Sequence, residues 1–131
     1  EGMNLVVAAR SADALERVAT ELRLLGVKAI AVPTDVSDEE QLRRLVDQTL
    51  TEFGSIDVLV NNAGIDAFCP FHEIDPARIQ SVIQVNLTST LLLTRFVLPH
   101  MLAARRGHIV NMASTAGKYG PAYGATYGAT K

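Results

Sequence analysis

Four polar residues in this chain are suited to proton-transfer chemistry: Asn86, Ser114, Tyr127 and Lys131. A free phenol titrates near about 10 and is a poor acid or base at neutral pH. An ammonium held beside it stabilises the phenolate, so the two together can act as a general acid/base. Tyr127 and Lys131 are four residues apart, which puts them on one face if the segment is helical. Tyr123 stands in the near-repeat Tyr-Gly-Ala-Thr-Tyr-Gly-Ala-Thr, yet Tyr127 is the tyrosine with a lysine at that spacing. A lone Tyr-x-x-x-Lys arises often by chance, so the ordered set of four carries the reading.

These groups need a scaffold, and the apolar pattern predicts one. Strands are expected at 5–9, 27–32, 56–60 and 108–112. Between the first three run amphipathic helices, the first capped by Ser11 and stopped by Gly26, the second opened by Ser37 or Asp38 and closed by Gly54. Residues 76–106 form one long helical pattern, with Pro99 near its end as a candidate kink. Strands of near-continuous apolar character separated by helices call for parallel pairing through right-handed crossovers. The expected fold class is therefore α/β, a Rossmann-like doubly wound parallel sheet, within a single domain over residues 1–131.

In such a sheet the carboxyl ends of the strands line the ligand crevice. Asn62-Ala63-Gly64 follows the third strand directly, and its small residues let a flat ligand approach the backbone. Ser114 follows the fourth strand, so its hydroxyl is expected to face the same crevice. The glycines at 117, 120, 124 and 128 do not form a phosphate loop, because no Gly-x-x-x-x-Gly-Lys-Ser/Thr occurs.

Composition excludes several classes. With 48% hydrophobic and 20% charged residues the chain is an ordinary globular sequence, and a net charge of -2 gives no reason to expect nucleic acid or an anionic membrane as partner. Arg105-Arg106 suits a helix C-terminus. The single cysteine, Cys69, forms no internal disulfide and points to a reducing, cytoplasmic setting. His72, His100 and His108 are scattered without metal-ligand spacing, so no metal is expected. The apolar stretch 91–102 is broken by Arg95, Pro99 and His100 and is too short to span a bilayer. Asn86-Leu87-Thr88 matches a glycosylation sequon, but an internal site in a reducing compartment would not be modified.

Taken together, Asn62-Ala63-Gly64, Asn86, Ser114, Tyr127 and Lys131, in that order and on those elements, resemble the active-site set of the short-chain dehydrogenase/reductase family. The resemblance covers the whole chain. It implies that Tyr127 exchanges a proton with the substrate oxygen, that Ser114 orients that oxygen, and that Lys131 stabilises the phenolate and holds the nicotinamide ribose. Asn86 resembles the helix asparagine whose backbone supports a water linking the lysine to solvent. Asn62, Ala63 and Gly64 would line the adenosine side of the cofactor, and Asp35-Val36 resemble the pair that contacts adenine.

The resemblance further implies an NADP(H)- or NAD(H)-dependent oxidoreductase that interconverts a carbonyl and a secondary alcohol, in the manner of a 3-oxoacyl-[acyl-carrier-protein] reductase or a ketone or steroid reductase. NAD-preferring Rossmann proteins place an acid at the end of the strand that leads to the ribose 2′-OH, whereas an arginine accommodates a 2′-phosphate. Here the strand ends in Ala9-Arg10, so NADP(H) is preferred and NAD(H) remains possible. Phe68, Phe71 and Tyr119 hint at an apolar small-molecule substrate or serve as packing. Family members commonly form dimers or tetramers through the long helix and the helix that begins near Tyr123. The alternative is a non-catalytic cofactor-binding or regulatory protein on the same fold.

The chain departs from the family pattern at both ends. The family's Gly-rich phosphate turn and first strand are expected to precede Glu1, with Gly2-Met3-Asn4 as the tail of the first helix, and the last strands are expected beyond Lys131. In the order 3-2-1-4-5-6 the missing strand is the central one, which would leave the strands at Leu5 and Ile56 without a partner between them and an isolated segment inactive.

Overall fold

The computed structural model describes residues 2–131. The first unit is β1, Leu5–Ala9, then α1, Ala12–Leu24, then β2, Ala29–Pro33. Ser11 caps α1 by accepting the Ala14 N–H, and beyond the helix end Gly26 takes a positive φ of 83°. β1 and β2 pair in parallel from Leu5↔Ala29 to Ala9↔Pro33, two residues later than the sequence pattern places the second strand.

Helix α2, Glu39–Phe53, is capped by Asp38, whose carboxylate accepts the N–H groups of Glu40 and Gln41. Those bonds, with the Gln41 side chain first, hold the Asp38 carboxyl below its ordinary range. Gly54 ends the helix in the left-handed conformation at φ 75°, where glycine has no Cβ to clash. β3, Val58–Asn61, follows.

The long helical pattern is realised as α3, Pro76–Ile83, a π-helical turn at Gln84–Thr88, and α4, Ser89–Ala104. Asp75 caps α3 and Pro76 occupies its first turn, where a missing N–H costs nothing. Pro99 lies inside α4, which continues past it to Ala104 and ends at Arg105 with φ 53°. This 29-residue run is longer than the stretch 91–102 and could cross a membrane by length and apolarity alone. Its inner face, however, carries Asn86 and packs Leu93, Val97 and Met101 into the core.

β4, His108–Asn111, pairs in parallel with β3, from Val58↔His108 to Asn61↔Asn111. Arg106 adds an ion pair to Asp57 at 2.7 Å beside the strand starts. Two short helices close the chain, α5, Ala116–Tyr119, and α6, Ala125–Thr130. The first was not legible as a helix in the sequence, and the second begins two residues after Tyr123. Gly2, Met3 and Asn4 are not helical, contrary to expectation, although Gly2 has the positive φ of 79° common just past a helix end.

The four strands form two separate two-stranded parallel sheets, β1 with β2 and β3 with β4. This is the doubly wound order with a gap where a central strand would lie between β1 and β3. Val58, Val60, Ile109 and Val110 are exposed, where strands covered on both faces would bury them. Helices join the halves: Val32, Leu42, Leu45 and Val46 share one apolar cluster with Leu59, Leu93, Val97 and Met101. The Arg43 guanidinium lies 4.2 Å from the Phe96 ring centroid across the same α2–α4 contact.

Candidate active site

The site is built where β3 and β4 end. Asn61 and Asn111 close the two strands in register, and the Asn61 amide donates to Asn111 Oδ1 at 2.8 Å and to Thr94 Oγ1 of α4 at 3.2 Å. Asn61 is buried, so this network fixes the strand ends against the helix before the chain turns through Asn62, Ala63 and Gly64. The Met112 N–H donates to the Asn61 carbonyl and extends the register into the second loop.

Asn86 is the keystone. It is only 5% exposed and sits at the middle of the π turn. Its Oδ1 accepts the Ile65 N–H at 2.8 Å, while its Nδ2 donates to the Ile65 carbonyl at 2.8 Å and to Thr130 Oγ1 at 3.0 Å. Thr130 in turn donates to the Tyr127 carbonyl at 2.8 Å. One amide thus ties together the Gly64–Ile65 loop, the long helix and α6. The side chain stands on a π turn, a rare form that is frequent at functional sites.

Tyr127 lies on α6, and Lys131 directly follows its last residue, Thr130. Lys131 Nζ lies 5.9 Å from the Tyr127 ring centroid and donates to the Met112 carbonyl at 2.9 Å. An ammonium has three protons, so two remain for other acceptors. Tyr127 and Lys131 line an open pocket of about 290 Å³ together with Asn62, Gly64, Ile65, Asp66, Met112 and Ala113. A Cβ added to Gly64 would stand 3.5 Å from Asn86 Oδ1 and 3.6 Å from Lys131 Nζ. Glycine therefore leaves open a small cradle between the Asn86 amide, whose polar atoms are already bonded, and the Lys131 ammonium.

Ser114 is not among the pocket-lining residues. It lies just after Met112 and Ala113, half-buried, and its Oγ accepts the Ala116 N–H at 3.1 Å. Its hydroxyl proton stays available for donation. The expectation that the hydroxyl faces the crevice is thus met only as far as the neighbouring residues go.

The remaining candidates form a second group at the ends of β1 and β2. The Thr34 N–H donates to the Ala9 carbonyl at 2.8 Å, which sets Arg10 beside Asp35. Asp35 Oδ1 accepts from Ser37 Oγ at 2.7 Å and from the Ser37 N–H at 2.9 Å. The Ser37 hydroxyl, then its N–H, and further off the Arg10 guanidinium, hold this carboxyl below the usual range. Val36 packs against the apolar cluster. Arg10, Asp35, Val36 and Ala63 lie outside the pocket lining, and the Gln84 side chain, by donating to the Ser37 carbonyl, links their loop to the π turn.

Ile65, Asp66, Met112, Ala113 and Thr130 also build the site, although no spacing or motif in the sequence singles out the first four. Thr130 alone was open to recognition, as a hydroxyl three residues after Tyr127. Among the described residues no group of three or more His, Cys, Asp or Glu converges as a metal site.

The family model for short chain dehydrogenase matches residues 1–131. The ketoacyl reductase HetN of a Nostoc species is 42% identical over 131 residues, covering all of this chain and 46% of that protein. A metagenomic short-chain oxidoreductase solved with NADP superposes with a TM-score of 0.94 at 40% identity, over 99% of this chain and 59% of the other. A short-chain dehydrogenase/reductase from Burkholderia phymatum solved with NAD gives 0.95 at 37% identity, over 98% and 46%. The chain spans about half the length of the relatives it matches, and over that span its backbone superposes closely on theirs. The chain belongs to the short-chain dehydrogenase family.

Proposed function

We propose that the protein to which these residues belong is an oxidoreductase that uses NADP(H) to interconvert a carbonyl and a secondary alcohol. The observation that carries this reading is the convergence of Tyr127, Lys131, Asn62 and Gly64 on one pocket, with Lys131 oriented by Met112. Bound nicotinamide supplies the hydride. The chain's residues supply position and the proton. Tyr127 gives its hydroxyl proton to the substrate oxygen in reduction and recovers it in oxidation. Lys131 stabilises the phenolate and meets ribose hydroxyls with its two remaining protons. Ser114, whose oxygen is engaged by Ala116, donates its proton to the substrate oxygen and orients it. Asn86 holds the loop and α6 in register. The test is one-to-one formation of a secondary alcohol as the full-length protein consumes NADPH. The ketoacyl reductase relative makes 3-oxoacyl thioesters, along with cyclic and steroidal ketones, the substrates to try first.

The preference for NADP(H) rests on Arg10, next to Asp35 at the end of β1 and with no acid at the strand end itself. Arg10→Asp is expected to shift the ratio of NADPH to NADH affinity toward NADH by roughly 10-fold or more, the scale of one charge-assisted phosphate contact. Titration of both cofactors into the full-length variant measures the ratio, and an unchanged ratio removes Arg10 from the assignment. The lone Cys69 suits the reducing cytoplasm expected for this enzyme.

A homo-oligomer is part of the same reading. Ile83, Leu87, Leu91, Leu98 and Leu102 are exposed at helical spacing along one stripe of α3, the π turn and α4, beside the stripe of buried Val82, Asn86, Leu93, Val97 and Met101. A second copy of the same helix would cover this stripe, as two-fold interfaces pair like surfaces. Leu91→Arg is expected to convert a full-length dimer or tetramer into smaller species by light scattering. An unchanged mass would place the interface elsewhere.

A further inference from the structure

Phe68 stands beside the phenol. The residue is 53% exposed, and its ring centroid lies 5.7 Å from that of Tyr127 at a tilt of 44°, the separation of an interacting aromatic pair. Three features hold it there. Ala67, next in sequence, is buried and anchors the segment. The Cys69 N–H donates to the Tyr123 carbonyl at 3.1 Å, tying the segment to the turn before α6. That turn requires Tyr123 to adopt φ 63°, a left-handed conformation that non-glycine residues seldom take. Third, a Cβ on Gly124 would come within 2.7 Å of Phe68 Cε1, 2.7 Å of Pro121 Cγ and 3.2 Å of Phe68 Cδ1, so the ring keeps this seat while residue 124 is glycine and would have to shift for a larger residue. A strained tyrosine and a side-chain-free residue thus fix a half-exposed apolar ring against the phenol.

We infer that Phe68 is a specificity-determining residue: it forms an apolar wall beside Tyr127 that selects carbonyl substrates bearing a flat or cyclic hydrocarbon substituent. The inference rests on the reductase reading of Tyr127. A substrate oxygen within reach of the Tyr127 hydroxyl brings the groups on its carbonyl carbon close to that ring. Asp66, two residues before Phe68, lines the pocket, so this segment borders the site directly. Burial of a ring-sized hydrocarbon against Phe68 removes apolar surface from water on both partners, whereas a small hydroxylated ketone gains nothing from it.

The test uses the full-length protein with cyclohexyl methyl ketone and hydroxyacetone as probes. In Phe68→Ala the ratio of kcat/KM for the cyclohexyl ketone over hydroxyacetone is expected to fall roughly 10-fold or more, the discrimination that a few methylenes provide. Phe68→Leu should fall between, since it keeps apolar bulk. Gly124→Ala, which unseats the ring, should lower the same ratio in the wild-type background and lose that effect in the Phe68→Ala background. A uniform loss on both ketones, leaving the ratio unchanged, means that Phe68 only packs, and overturns the inference. Calorimetric binding of the cyclohexyl ketone separates this from failure of the reductase reading. Binding that weakens in Phe68→Ala without turnover in the wild type keeps the wall and removes the reductase. Turnover with an unmoved ratio does the reverse, and a wild type that neither binds nor reduces the ketone overturns both.

Discussion

Tyr127→Phe in the full-length protein is expected to lower kcat for carbonyl reduction by roughly 1000-fold, within the range of about 100- to 10,000-fold for a positioned general acid. The substitution removes only the phenolic oxygen. The ring keeps its contact with Phe68, and Lys131 keeps its bond to the Met112 carbonyl, so the cradle at Gly64 stays intact. NADPH affinity should therefore change little, and the loss should appear in kcat rather than in cofactor binding. Lys131→Met should lower both, because the same ammonium faces the tyrosine ring and the cradle. Steady-state kinetics with NADPH titrations separate the two. A Tyr127→Phe enzyme within about threefold of wild type, far short of a general acid's share, would remove Tyr127 from the proton transfer.

The second large effect is expected at Asn86. Its amide makes three hydrogen bonds in a nearly sealed position, and Asn86→Ala leaves the Ile65 N–H and carbonyl without those partners. An abandoned buried polar group costs about 1–3 kcal/mol, so a loss of about 2–4 kcal/mol in unfolding free energy is expected. Denaturant titration of the full-length protein measures it. Asn86→Asp keeps the shape and the acceptor for the Ile65 N–H, but sets an acceptor against the Ile65 carbonyl and a negative charge near Lys131. It should fold with reduced stability and transfer protons poorly. A stability change under about 1 kcal/mol for the alanine variant would mean that water replaces the amide and that the loop is held by other contacts.

The chemistry of this site was more legible in the sequence than its architecture. Tyr127 and Lys131 could be read because a four-residue spacing has one meaning on a helix, and Tyr127 of α6 and Lys131 just beyond it line one pocket. The caps at Ser11, Asp38 and Gly54 were legible for the same local reason, since each satisfies an end of its own helix. What the sequence concealed depends on long-range partners. Asn86 reads as a polar residue in an apolar helix, and nothing local shows that its amide pairs with a backbone 21 residues away. The π turn around it is a product of that tertiary constraint and leaves no periodicity to find. Ser114 shows the limit of a local reading: its place after a strand says nothing of the Ala116 N–H that engages its oxygen, and α5 was not foreseen.

The separation into two sheets follows from the same logic. The doubly wound class could be reasoned out from the alternation of strands and helices, whereas the strand order came with the family resemblance. The interruption shows in the pairing, as two sheets of two strands, and the exposed valines and isoleucine of β3 and β4 lie on faces left uncovered among the described residues. Because helices α2 and α4 share one apolar cluster, the two halves still present Arg10 and Asp35 on one side and the Tyr127 pocket on the other, both at strand carboxyl ends.

The central claim is that this pocket transfers a proton in step with hydride delivery from a nicotinamide. It is tested most directly by supplying the full-length protein with NADPH deuterated at nicotinamide C4 and a set of oxoacyl, cyclic and steroidal ketones. Mass spectrometry then locates the label in the product. The account predicts deuterium on the carbinol carbon of a single alcohol enantiomer, lost in the Tyr127→Phe variant. NADPH bound by the protein with no label transferred to any of these carbonyls would contradict it and leave a cofactor-binding protein without the reductase chemistry.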